Sequence, residues 1–217
     1  MPYYPLLLYA HILLMVFWLG TDIGVFIAGL YFLRPRLSIE RRRMAIELGL
    51  VIDRFPRICF VLMLPVGLQL AFLRRLLPVS AGAMAAIWIA SLAWMTVVIG
   101  IMRSHGTARA RALQRVERVV LAGTFIVLTT TGTMLWRASA PGWFVGKLWA
   151  FASICLFAIL LEISFGPTLT TFTTIATHGS TAQLEAKLRR SMYWTYAWVL
   201  GIYAAVLVAG FLGTVKP

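Results

Sequence analysis

The residues of this chain that could do chemistry are the few ionisable ones lying inside long apolar runs, where burial makes them costly and selects for a partner or a task. His11 and Asp22 interrupt the run YPLLLYAHILLMVFWLGTDIGVFIAGLYFL. At 100° per residue, positions 11, 18, 22 and 29 fall within about 20° of one another. His11, Trp18, Asp22 and Gly29 therefore make one stripe, while Gly20, Gly24 and Ala28 lie mainly on the other side, in the small-xxx-small spacing that lets helices approach closely. An imidazole so placed can bind haem iron or copper, or hydrogen-bond a quinone. A hydrogen-bonded structural histidine is the alternative.

A second group is charged. Counted inward from the outer ends of their predicted helices, Asp22, Arg57, Arg118 and Glu162 all lie about 24–27 Å deep. Asp53 precedes Arg57 by four residues, a favourable helical pair, and is also placed to cap the helix that follows. Three readings stand for the set Asp22, Asp53, Arg57, Arg118 and Glu162. It is a structural ion-pair network, or a proton or ion pathway, or a group of side chains snorkelling to the interface. Near His11, about 7 Å from the outer end of its helix, the same reckoning brings Gln69, Met134, Trp136, Trp143 and Lys147.

The elements that must position these residues are membrane spans. Of the 217 residues 61% are hydrophobic and 12% charged, too apolar for a soluble domain, and several stretches have the roughly 20 apolar residues that cross a bilayer core. The pattern predicts an all-α, polytopic membrane helix bundle, with spans at Leu6–Leu33, Arg54–Leu73, Ala81–Met102, Arg118–Trp136, Phe144–Phe165 and Met192–Leu212. Residues 1–217 are expected to form a single integral membrane domain. A glycine recurs in the second helix of each pair (Gly67, Gly132 and Gly210), which suits three hairpins but is loose enough to arise by chance.

Alternate connections are basic. Arg34, Arg36 and Arg41–Arg43 fill the first, Arg103, Arg109, Arg111 and Arg115 the third, and Lys187, Arg189 and Arg190 the fifth. Cytoplasmic loops carry such an excess, so the expected setting is a bacterial cytoplasmic membrane with both termini outside. The net charge of +13 then reflects topology and attraction to anionic lipids, and nucleic acid is not a partner. The segment RPRLSIERRRMAIELGL predicts a short amphipathic helix at headgroup level. Cys59 and Cys155 fall inside spans and suggest neither a disulfide framework nor a metal motif. No nucleotide-binding loop, nucleophile triad or thiolate site is visible.

His105 and His178 fall in cytoplasmic loops on this topology, so they cannot join His11 across about 30 Å of membrane. A haem would need His11 alone, His11 with Met134, or a second His11 across a homodimer. The leading expectation is a membrane redox or cofactor-binding protein holding haem b, or less readily a quinone, near His11. The alternatives are a subunit of a larger membrane complex, or a small proton, ion or metal transporter organised by buried ion pairs.

Helix 1 through LRPRL resembles the first helix of the HemJ-type protoporphyrinogen oxidases and of the copper-resistance protein D group. Those begin with a His near the start of an apolar helix, then a Trp, a glycine-containing turn and a basic exit. GWFVGKLWAFASICLFAILL resembles their W-x-x-K-L helix opening, with Trp143 and Lys147 spaced one residue further apart. TGTMLWRAS and VIDRFPRICFVLMLPVGLQLA are similar to bacterial membrane proteins of the same broad group. The resemblance, over about half the chain, implies b-type haem and porphyrinogen oxidation with His11 and Lys147 at the matching positions. The copper-handling relatives would imply metal passage, for which no Met- or His-rich relay is present. This chain departs from the pattern in its length, its helix number and its charged cluster.

Overall fold

A computed structural model of the chain describes residues 3–104 and 106–216. The described residues form seven α-helices and no strands: α1 (Tyr4–Phe32), α2 (Ile39–Ile52), α3 (Arg54–Leu73), α4 (Ala81–Arg103), α5 (Ala108–Arg137), α6 (Gly142–His178) and α7 (Ala182–Thr214). Six helical stretches are long and apolar enough to cross a membrane, with α2 and α3 forming one of them as Ile39–Leu73. A helix pairs nearly all its backbone polar groups internally, as hydrocarbon demands of a crossing segment; Pro65 in α3 and Pro167 in α6 each remove one donor.

Side chains set the boundaries. Ser80 caps α4 by accepting from the Ala83 N–H at 3.1 Å, and Thr181 caps α7 from the Leu184 N–H at 3.3 Å. Gly179 closes α6 at φ +91°, donating its N–H to the Ile175 carbonyl. Glycine takes that conformation without the Cβ penalty.

The first basic connection holds the expected short helix, α2, but the structure departs from the sequence expectation at the other two basic connections, which are largely helical. α5 begins ten residues before Arg118, α6 runs on past Phe165 to His178, and α7 starts at Ala182 rather than Met192. His178 ends a helix and does not lie in a loop; His105 lies outside the described residues. Asp53 does not cap α3. Its backbone is right-handed helical (φ −56°, ψ −16°) and its side chain makes no cap bond. Its N–H reaches Gly49 O at 2.9 Å and its carbonyl accepts from Arg57 N at 3.3 Å, so α2 passes into α3 almost without a break. Apolar pattern alone located the spans; the polar turns beyond them are helical because caps and local packing hold them.

At 37 residues α6 is about 55 Å long, and at 33 residues α7 is about 50 Å. A hydrocarbon core of about 30 Å leaves helical ends projecting beyond it. These ends have a core of their own: Phe32, Phe172, Ile175, Leu188 and Met192 are buried together, with Leu33, Ile39, Ala45, Ile46 and Leu184 packed around them.

The chain divides into two compact units, one of Met1–Val25 and Leu48–Val120, the other of Phe26–Glu47 and Leu121–Pro217. In the first, α3 pairs with α4; in the second, α6 pairs with α7.

Candidate functional site

The first unit brings together part of the charged set. Asp53 and Arg57 stand one turn apart, and the Arg57 Nε donates to Asp53 Oδ2 at 2.5 Å. The same guanidinium lies 3.9 Å, through Nη1, from the carboxylate of Glu117 on α5. Glu117 is buried, whereas the Arg57 and Asp53 side chains keep 39% and 24% of their exposure. Two carboxylates thus share one guanidinium unequally: Asp53 holds it closely and Glu117 faces it across a longer gap.

Glu117 lies one residue outside the fourth span that the sequence predicts, which begins at Arg118. The signal was present. Ala110, Glu117, Leu121, Leu128, Gly132 and Leu135 are the buried positions along α5, spaced by seven, four, seven, four and three, an inward-facing helical stripe. Arg118 stands 100° off that stripe and is only half-buried. Asp22 and Glu162 are half-buried as well; Asp22 and Arg118 belong to the first unit and Glu162 to the second.

His11 lies in the first unit with its imidazole on α3. A Cβ placed on Gly67 would stand 3.2 Å from His11 Cε1 and 3.8 Å from Nδ1. The glycine leaves the ring its space. Deeper on the same helix stripe Trp18 is buried against Phe60, with ring centroids 5.2 Å apart, and Phe60 meets Trp94 edge-on at 5.3 Å. The buried Trp94 indole N–H has no hydrogen-bond acceptor among the described residues, the kind of orphaned donor that ordinarily finds a partner. Toward the outer end, Trp88 donates to Gln69 at 3.0 Å.

The other two cofactor candidates belong to the second unit. Met134 is 71% exposed. Lys147 lies along the last turn of α7, where its Cε would meet a Cβ on Gly213 at 2.8 Å. No group of three His, Cys, Asp or Glu suited to a metal ion occurs among the described residues. Among the described residues, His11 is the first unit's one imidazole, and a single imidazole does not by itself make a bis-histidine or chelating site.

The second unit contains an ion pair that the sequence reading did not find. Arg42 is 1% exposed. Its Nη1 and Nη2 donate to Glu185 Oε1 and Oε2 at 2.7 and 3.1 Å, and its Nε donates to the Phe32 carbonyl at 2.9 Å. Ser180 Oγ donates to the same Glu185 Oε1 at 2.7 Å. Phe32 and Phe172 flank the guanidinium, its carbon 5.9 and 5.4 Å from their ring centroids. The Phe32 carbonyl belongs to the last turn of α1, where no intrahelical donor is available. One side chain therefore ties α1, α2 and α7 through a bidentate ion pair and a third hydrogen bond. In sequence Arg42 reads as one of three consecutive arginines in a basic connection, and its partner lies 143 residues away.

No family model, curated protein or solved structure matches this chain. What the described residues and helices establish is an all-helical, multi-pass membrane protein with a buried ion pair, Arg42 with Glu185, in one unit and a partly exposed cluster of Asp53, Arg57 and Glu117 in the other.

Proposed function

We propose that this protein is a small proton-translocating membrane protein, acting alone or as a subunit of a larger complex, whose working group is Glu117. The observation that carries the reading is the unequal triad of Asp53, Arg57 and Glu117. One guanidinium balances one carboxylate, and Asp53 already holds it. Within the triad, a proton on the buried Glu117 completes the charge balance, and losing it leaves an anion that Arg57 can approach. A carboxylate shared in this way can alternate between two states with little movement of the backbone. Ionisable residues at membrane depth mark such relays. The basic connections support a bacterial cytoplasmic membrane with both termini outside, which puts the triad near the cytoplasmic surface and supplies its protons from that side.

The test is infrared difference spectroscopy of the purified protein during a pH change. A carboxylic-acid C=O band should convert to carboxylate bands, and Glu117→Gln should remove that conversion without altering the helical amide signal. If the carboxyl bands of wild type and Glu117→Gln respond alike, the assignment fails.

A second reading has its own support. The His11 ring seated on Gly67 and the orphaned Trp94 N–H favour a cofactor in the first unit, haem b or a quinone, as the resemblance to the HemJ-type enzymes implies. His11 would provide the axial ligand or a hydrogen bond, and haem would supply one-electron chemistry; a homodimer would supply a second His11. An absorption spectrum of protein from haem-replete cells decides it. A Soret band lost in His11→Ala supports the site, and a protein without haem removes the haem proposal.

A further inference from the structure

The projecting end of the second unit carries a surface that the proton reading does not use. Arg34, Arg36, Arg41, Arg43, Lys187, Arg189 and Arg190 are all exposed there, against only Glu40 and Glu47 among exposed acids. The remaining cation and acid of this region, Arg42 and Glu185, neutralise each other inside. That contact fixes α2 against the start of α7, so the basic tracts on either side of Arg42 and following Glu185 are held next to one another. Arg189 stands four residues after Glu185, on the same face of α7.

Its depth identifies the occupant. Counting about 1.5 Å per residue back from Thr214, Trp194 lies about 30 Å along α7, one hydrocarbon thickness. Trp194 and Tyr193 are exposed, with rings edge-to-face at 5.7 Å, as aromatic side chains at a membrane interface are. Arg190, Arg189 and Lys187 follow about 6–10 Å beyond, within and just past the headgroup layer. On α2, the exposed Met44 and Leu48 share a face with Arg41 and Arg43 to either side, so the helix offers apolar and cationic groups together.

We propose that Arg41 and Arg43 of α2 with Arg189 and Arg190 of α7 form a binding surface for the phosphate of anionic lipid headgroups, built by the Arg42–Glu185 contact. Its ligand is a phosphodiester carried in the bilayer, and dissolved phosphate offers the same charge without the acyl chains that Met44 and Trp194 would meet.

The experiment measures lipid retention by native mass spectrometry of protein in neutral detergent, with phosphatidylglycerol, phosphatidylcholine or inorganic phosphate added at equal concentration. Wild type should retain phosphatidylglycerol in preference to phosphatidylcholine. At about fivefold per interfacial cation, the R41Q/R43Q/R189Q/R190Q variant should lose that preference by at least about tenfold. R74Q/R75Q, in a connection expected on the outer side of the membrane, should keep it. If the quadruple variant does not purify, R43Q/R190Q should show the same loss in part. Equal retention of both lipids by wild type, or an unchanged preference in the quadruple variant, overturns the proposal. Equal protection of wild type against heating by inorganic phosphate also overturns it, in favour of a soluble anion.

Discussion

Glu185→Gln is the perturbation that the structure specifies most fully. The substitution preserves size and leaves an amide oxygen to accept from Ser180 or one guanidinium nitrogen, but it removes the charge facing Arg42. The Arg42 side chain is 1% exposed and that of Glu185 11%, so solvent screens the pair little. Stranding a buried charge of this kind typically costs about 3–5 kcal/mol. Near the unfolding midpoint, each kcal/mol lowers Tm by about 2–4 °C in a chain of this size. The expected shift is thus on the order of 10 °C, read as loss of the monodisperse species after heating in detergent. Arg42→Leu strands the carboxylate and should cost as much or more, since the Phe32 carbonyl then also loses its donor. Arg42→Leu with Glu185→Leu removes both charges and should recover much of the loss, because apolar replacements of buried pairs are often neutral or better. Two small single effects, or single effects that add strictly in the double variant, would show that the pair does not hold α2 to α7 as described.

Four further outcomes follow from other contacts. Gly67→Ala sets a Cβ 3.2 Å from His11 Cε1; this overpacking should cost about 1 kcal/mol or somewhat more, and a neutral change in thermal stability would contradict the packing. In the triad, Asp53→Asn should cost less than about 1 kcal/mol because the pair is partly solvated, while Arg57→Gln should cost more by leaving Glu117 buried without it; the reverse order in detergent unfolding would refute the arrangement. Gly179→Ala forces a Cβ into φ +91° and should destabilise by about 1–3 kcal/mol, whereas Gly166→Ala, where a Cβ meets nothing, should not. Cysteines at Arg41, Arg109 and Lys187 should label from the cytoplasm and those at Arg75, Ala140 and Lys216 from outside; labelling of positions 41 and 109 from opposite faces would refute the topology.

The spans were legible because hydropathy over about 20 residues is a strong signal, and the ends of α3 and α4 fall within about a residue of their expected places. The helical projections were not, since Thr- and Arg-rich segments such as residues 166–191 look like loops until Thr181 and Gly179 are seen to confine the turn. For the charged set, Asp53 and Arg57 were readable from i, i+4 spacing. Glu117 required the inward stripe of α5 to be given more weight than the hydropathy boundary beside it. Arg42 could not have been separated from Arg41 and Arg43 by composition. Only the approach of Glu185, from the far end of the chain, distinguishes the one arginine that is inside. His11 is legible as the sole histidine within an apolar run, and the structure adds the reason Gly67 lies opposite it.

Proton movement itself is the most direct test of the account. Purified protein in sealed vesicles, with a potassium-diffusion potential imposed and a pH-sensitive dye trapped inside, should acidify or alkalinise the lumen according to the sign of the potential. Glu117→Gln vesicles, matched for protein content and orientation, should fall at least about tenfold toward the protein-free leak, the scale on which loss of a single positioned proton-transfer group acts. Flux in wild-type vesicles no faster than in protein-free ones, or equal flux in wild type and Glu117→Gln, would contradict the assignment of proton translocation to the Asp53–Arg57–Glu117 cluster.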